Sequence, residues 1–355
     1  MSDNRFDDTK GIEMSPLSDV IQTRILRFTL GVAIATFLAA WIDWPLAFVA
    51  PIFTAKFLFE KRVLHIDIVY ELLLAMIVTV AIGVALSVGF AQYPVPMLLS
   101  VAGLMVVGYY LFLDPKWNLF ATILLMSSLM LPFMAIQSTG TTIFLAVGLS
   151  LSGAISVAIF AVLHIYMPEK EHHYQSHKAV ELSDEFRWFS AMRALIIAFP
   201  VVCVFFVFQI SEALLSMIFI ALLSLMITGE KSIKLSLFLL ISNAIGGVIA
   251  LIVFGFLALV PNIMFYTLFI TLLAVVLGRK MYTESEKAPV YATALNTALV
   301  LIGTTLMSSG VIDEKMWIRL GLLVLVAVYM IVAAFFIETR QWKILKFNGQ
   351  MMKSP

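Results

Sequence analysis

A single lysine interrupts the apolar stretch Pro51-Ile52-Phe53-Thr54-Ala55-Lys56-Phe57-Leu58. A charge inside a hydrophobic segment is costly, and by default it marks an ion pathway, a relay or a ligand site. Two chemistries suit Lys56. Its four-carbon stem can carry the ammonium back to a headgroup layer, or the cation can line a path for anions. Pro51 supports the second, because a proline without an amide donor is expected to kink the segment and free carbonyls one turn back. Asp67 and Glu71 lie one helical turn apart and share a face, so they can neutralise Lys56, Lys61 or Arg62. A salt-bridge cluster and a proton relay are both open to them.

Other candidates come in pairs. Asp43 and Glu212 each precede an apolar segment, where a carboxylate can cap the following helix or exchange protons. Lys116 and Lys287 also precede apolar segments. A cation at a helix start opposes the macrodipole, so these two serve either as lipid anchors or as cations at the mouth of a pathway. Asn118, Thr122, Ser127, Ser128, Asn243, Thr293, Asn296 and Thr297 bring uncharged polar groups into apolar segments, where interhelical hydrogen bonds are their ordinary use. The expected pathway set is Lys56, Lys116, Lys287, Thr122, Thr293 and Asn296. The expected proton-coupling set is Asp43, Glu71 and Glu212.

Enzyme chemistry fits poorly. His164 is isolated in an apolar segment. His173 and His177 are spaced for one helix face, but no acidic third ligand sits at a diagnostic distance, so no metal is expected. The phosphate-cradling glycine loop and the serine nucleophile elbow are both missing. Cys203 is the one cysteine, which removes intrachain disulfides and cysteine-rich metal sites. No cofactor is expected.

The elements that must hold these residues follow from composition. Hydrophobic residues make up 62% of the 355 and charged ones 13%, with a mean hydropathy of +1.02. That leaves too little polar material to skin a soluble domain. Apolar runs of about 17–25 residues recur, the length of a membrane-crossing helix. The fold class expected is an all-α polytopic membrane protein with about twelve transmembrane helices. Spans are expected at 24–41, 44–60, 66–90, 95–113, 117–137 and 141–166, then at 190–209, 212–229, 233–259, 262–279, 288–308 and 315–337. Residues 1–23 and 338–355 become tails, and the first carries too many acids for a cleavable signal. Residues 168–189 become a polar connector holding His172, His173 and His177.

With the N-terminus in the cytoplasm, Arg24, Arg27, Lys61, Arg62, Lys116, Arg187, Arg193, Lys231, Arg279, Lys287 and Arg340 fall inside. The outside receives essentially Lys315 alone, with Arg319 a turn deeper, a strong positive-inside asymmetry. Both termini and the connector are then cytoplasmic. The net charge of +1 gives no reason to expect nucleic acid. Lipid is the obligatory partner, and a homo-oligomer stays open.

The two blocks of six spans also correspond. Arg24 matches Arg193, Asp43 matches Glu212, Glu60-Lys61 matches Glu230-Lys231 and Lys116 matches Lys287. Phe120-Ala121-Thr122 matches Tyr291-Ala292-Thr293, and Ser138-Thr139-Gly140 matches Ser308-Ser309-Gly310. The offset stays near 170 residues. Six spans per block make the repeats parallel, related by an axis along the membrane normal. Lys56 has no charged counterpart, since Met226 stands there.

One stretch carries a family likeness. Arg24-Ile25-Leu26-Arg27, then Gly31-Val32-Ala33-Ile34-Ala35-Thr36, then Trp44-Pro45-Leu46-Ala47-Phe48-Val49-Ala50-Pro51 resembles the opening hairpin of the fusaric acid resistance and aromatic acid exporter superfamily. The form resembled is the compact one, without a large cytoplasmic domain after the sixth span. The resemblance implies a bacterial inner-membrane efflux component for small, often aromatic, organic anions. It also implies a periplasmic membrane-fusion adaptor as partner, and it extends to plant malate channels in which cations near the pore select anions. The expected function is proton-driven efflux of hydrophobic organic anions. An anion channel and a non-transporting scaffold subunit are the alternatives. A major-facilitator transporter is disfavoured, because the loop between spans 2 and 3 reads Lys61-Arg62-Val63-Leu64-His65.

Overall fold

The computed structural model describes residues 16–61, 64, 66–90, 92–114, 116–168, 182–209, 233–260, 262–284 and 287–307, with helical positions at 321, 325, 328, 329 and 332. Ten helices run through the described residues. They are α1 (Pro16–Ile42), α2 (Val49–Glu60), α3 (Ile66–Phe90), α4 (Pro94–Phe112), α5 (Asn118–Gln137) and α6 (Thr139–Tyr166), then α7 (Asp184–Phe208), α8 (Ile233–Leu259), α9 (Ile263–Thr283) and α10 (Ala288–Met307). Seven of them, α1, α3, α4, α5, α6, α7 and α9, are long and apolar enough to cross a membrane. The chain is thus a multi-pass, all-helical membrane protein.

Helix ends fall where local chemistry puts them. Ser183 caps α7 by accepting the Phe186 N–H, and Asp184 and Glu185 follow in the first turn, where carboxylates suit the positive end of the dipole. α7 therefore begins six residues before the hydropathy start at 190, and Arg187 belongs to it rather than to the connector. Ser138 caps α6 and Asn262 caps α9 in the same way. The expected span at 212–229, with Glu212 and Met226, lies outside the described residues, as do residues 169–181 with three of the histidines.

α5 is the most enclosed of the long helices, while α4 and α9 turn broad faces outward. α3 packs on α5 and α6, and α4 on α5 and α7. α1 packs on α2, α6 and α9. α8 packs on α10, and α10 also meets α9 and α2. α2 is buried on nearly every side, the signature of a helix at the centre of a bundle.

The second segment differs from expectation in an instructive way. Helix α2 starts at Val49 rather than 44, so its 12 residues reach only about 18 Å against a hydrocarbon core of about 30 Å. The preceding turn is buried instead of lying at an interface: Trp44, Leu46, Ala47 and Phe48 are all within the core. Asp43 and Leu46 adopt left-handed backbone, φ 50 and 60°, which costs a bulky L-residue about 1–2 kcal/mol. Helix α6 supports this turn with one stripe spaced four residues apart. Gly148 lies so close that an added Cβ would collide with the Pro45 carbonyl. Ser152 accepts from Trp44 Nε1 (2.8 Å) and donates to the Leu46 carbonyl (3.0 Å). Ser156 donates to the Ala50 carbonyl at 2.9 Å. Non-helical backbone inside a membrane protein needs such internal partners.

Two sequence expectations fall with this geometry. Pro51 does not kink the segment; it sits in the first turn of α2, where its missing N–H leaves nothing unsatisfied. Asp43 does not cap α2 either. The N-cap is Phe48, without a side-chain bond, and Asp43 is an exposed residue just past the end of α1.

Candidate functional site

Lys61, Lys116, Arg187, Arg279, Lys280 and Lys287 lie near the α2–α3, α4–α5, α6–α7 and α9–α10 connections, whereas Arg24, Arg27 and Arg193 lie two or three turns inside α1 and α7. Lys56 lies one turn before the end of α2. Its side chain is 16% exposed and turned sideways into the bundle, and Nζ donates to Thr122 Oγ1 on α5 at 2.7 Å. The carboxylate of Glu60, one turn further along α2, stands 3.4 Å away. The Phe112 ring, at the end of α4, lies 6.0 Å from Nζ, within range of a cation–π attraction.

The groups behind this contact fix its polarity. Thr122 Oγ1 donates to the Asn118 carbonyl at 2.9 Å, so it can only accept from Lys56. Asn118 Nδ2 donates to the Phe112 carbonyl at 3.1 Å. Its Oδ1 is buried without a hydrogen-bond partner and remains an unspent acceptor. Beside this chain of contacts opens a cavity of about 410 Å³ lined by Glu60, Lys61, Phe112, Leu113, Asn118 and Leu119. It combines two charges, one amide and three apolar side chains, the mixture expected of a site for an amphiphilic ligand.

The expected pathway residues divide. Lys56 and Thr122, 66 positions apart in sequence, meet directly. Lys116 is exposed in the α4–α5 connection, its Nζ 6.0 Å from the Trp117 ring centre. Thr293 and Asn296 lie on α10, and Thr293 donates to the Pro289 carbonyl at 2.7 Å. Lys287 pairs with Glu284 at 3.6 Å in an exposed contact. Glu71 pairs with Lys61 at 3.7 Å, so this carboxylate neutralises Lys61, and Lys56 is met by Glu60. Asp43 is at the end opposite the lysines. Glu212 lies outside the described residues.

Glu60 and Phe112 were not among the expected site residues. Glu60 carried a signal, because it stands four residues after Lys56 on a helix. Phe112 carried none, since it reads as one more apolar residue in a membrane segment.

A second cluster ties α7 to the α4–α5 connection. Arg187, almost wholly buried, reaches Asp114 at 3.0 Å and Asp184 at 3.6 Å, and its guanidinium lies 4.5 Å from the Tyr110 ring centre. Trp188 packs on Tyr110 with ring centres 4.9 Å apart. Among the described residues no group of three or more His, Cys, Asp or Glu side chains is arranged to hold a metal ion.

Residues 24–163 match the family model DUF2955, described as a protein of unknown function. The matched stretch runs from α1 to near the end of α6 and contains Lys56, Glu60, Phe112, Asn118 and Thr122. No curated protein and no solved structure matches the chain.

Proposed function

We propose that the protein is a twelve-span transporter that exports small hydrophobic or aromatic organic anions across a bacterial inner membrane. It draws on the proton gradient, works with a periplasmic adaptor and keeps both termini in the cytoplasm. The observation that carries the reading is the Lys56–Thr122 contact at 2.7 Å beside the 410 Å³ cavity. A cation held within a buried helix, next to apolar walls and an opening, suits an amphiphilic anion. The likeness of the opening hairpin to the aromatic acid exporters supports the same substrate class.

The two-repeat organisation belongs to this proposal. Helix α3 packs on α5 as α8 packs on α10, and α1 packs on α9 as α4 packs on α7. Each of these pairs maps onto the other when the chain is shifted by about 170 residues. That is the pattern of two parallel halves exchanging contacts across an axis along the membrane normal. The gathering of Lys and Arg near the α2–α3, α4–α5, α6–α7 and α9–α10 connections supports a cytoplasmic assignment for that end.

The test is accumulation of a panel of aromatic acids in cells with and without the protein, with and without an uncoupler. Export lowers accumulation, and the uncoupler abolishes the difference. Flux that persists under the uncoupler removes the proton coupling, and current down an anion gradient in a planar bilayer makes the protein a channel. If deleting the protein raises accumulation while Lys56→Ala and Lys116→Ala leave it unchanged, the cation-lined path is wrong.

A further inference from the structure

We propose that Glu60 is a tethered competitor for Lys56: its carboxylate keeps small inorganic anions off the ammonium and gives way only to organic anions that gain apolar contact in the adjoining cavity. The inference rests on the reading of Lys56 as the partner of a transported anion.

The two protein partners of Lys56 differ in kind. Thr122 is neutral, lies at 2.7 Å and has its own proton committed to the Asn118 carbonyl, so it is a permanent acceptor for one of the three ammonium hydrogens. Glu60 is the charged partner and the looser one. At 3.4 Å it stands outside the 2.7–2.9 Å of a well-made charge-assisted hydrogen bond. Its side chain is 33% exposed and lines the cavity. A carboxylate released from Lys56 therefore swings toward water with Lys61 as its neighbour in the cavity wall, and need not be buried unpaired.

A tethered carboxylate is present at high effective concentration, and any anion must displace it. That requirement subtracts a similar free energy from every competitor. Chloride brings charge alone and must also shed its hydration. An aromatic acid brings the same charge together with a face that covers Phe112, Leu113 and Leu119, so it retains a surplus. The penalty leaves the ratio of affinities unchanged, but it lifts the dissociation constant of chloride above the working concentration while the apolar gain keeps that of the aromatic acid below it. Glu60 thus sets, through Lys56, the affinity an anion must reach in order to bind.

Counterflow of labelled benzoate into proteoliposomes of the full chain tests this, in chloride and in gluconate media of equal ionic strength. The wild type is expected to carry benzoate equally in both. Glu60→Gln is expected to lower the KM for benzoate about fivefold, the weight of a part-exposed ion pair, and to make flux chloride-sensitive. Glu60→Asp, which keeps the charge on a shorter stem, is expected to restore chloride rejection in part. An unchanged KM with chloride insensitivity in Glu60→Gln overturns the inference. So does a fall in maximal rate at unchanged KM, which would make Glu60 only a support for the end of α2. If Glu60→Gln does not fold, Glu60→Asp decides alone: wild-type KM and chloride response overturn the inference, and intermediate values of both uphold it. Absence of benzoate flux in the wild type removes the proposed function itself, and this inference with it.

Discussion

The α4–α5 corner and the α9–α10 corner use similar residues in opposite ways. In the first, the acid reaches out: Asp114 crosses to Arg187 on α7 at 3.0 Å. In the second, the acid stays home: Glu284 pairs with Lys287 at 3.6 Å and accepts from Tyr291 Oη at 2.9 Å. The aromatic residues reverse this. Phe112 stays over the local cavity and faces Lys56, whereas Tyr282 reaches across, donating to the Leu58 carbonyl at 3.3 Å and meeting Phe28 and Phe59 edge-on. The first corner is thus joined to its neighbour by charge and leaves an opening beside Lys56. The second is joined by an aromatic wedge, and its charges neutralise one another at the surface. One corner leaves a lysine beside an opening and the other is packed, and the difference lies in where the charged ends point.

The largest expected effect comes from erasing the cation that separates them. Lys56→Met replaces the ammonium with an uncharged side chain of similar length. On the proposed function it removes the partner of the transported anion, for which losses of 2–5 kcal/mol are usual. Aromatic-acid flux is expected to fall about thirtyfold or more, with the protein still folded because methionine fills the same volume. Retained flux would put the pathway elsewhere and make the difference between the corners one of packing alone.

The charged crossing is next. Arg187→Met cuts the Asp114 bridge and leaves that carboxylate to the Lys116 N–H, which already donates to it at 3.0 Å. Asp114 is one-third exposed, so the expected loss is about 1–2 kcal/mol rather than the larger penalty of a sealed pair. Thermal unfolding in detergent should register it, and the difference from wild type should shrink at high salt. A salt-independent loss would mean that Arg187 contributes through its stacking on Tyr110 instead.

How far the sequence could carry this comparison depends on the kind of signal. Apolar runs reported the long helices well: α3 and α8 have the bounds expected, and α4, α5, α6 and α10 agree within two residues. The buried turn at 43–48 escaped because Leu46, Ala47 and Phe48 are as apolar as a helix would be. What holds them in a turn is a Gly148-Ser152-Ser156 stripe more than a hundred residues away. Lys56 was legible because a charge in hydrocarbon is conspicuous. Its contact with Thr122 was not, because nothing local says which of several polar groups on other helices it meets. Glu60 needed only the i, i+4 rule, yet its position at the end of a span made it look like a surface charge.

Threonine substitutions sharpen the contrast more gently. Thr122→Val removes the acceptor at 2.7 Å from Lys56 and frees the ammonium to lean on Glu60. The KM for an aromatic acid should rise about threefold to fivefold, the value of one charge-assisted hydrogen bond partly replaced by water. Thr293→Val, on α10 in the second corner, takes away a hydroxyl that returns its proton to the Pro289 carbonyl. Its effect on transport should stay within about twofold, since such back-bonding adds little to a helix. Equal effects at the two positions would argue that both corners face the substrate.

The smallest effect is expected at the aromatic wedge. Tyr282→Phe keeps the ring, and with it the edge contacts to Phe28 and Phe59 at 6.0 and 5.9 Å. It loses only the long bond to the Leu58 carbonyl. That carbonyl lies in the last turn of α2 and the bond to it is long, 3.3 Å, so the expected destabilisation is about 0.5 kcal/mol. Tyr282→Ala should cost several times more, because the ring fills the space where α9 meets α1 and α2. A Tyr282→Phe variant as damaged as Tyr282→Ala would mean that the second corner, too, is held by a polar contact, and the division between a charged corner and a packed one would have to be abandoned.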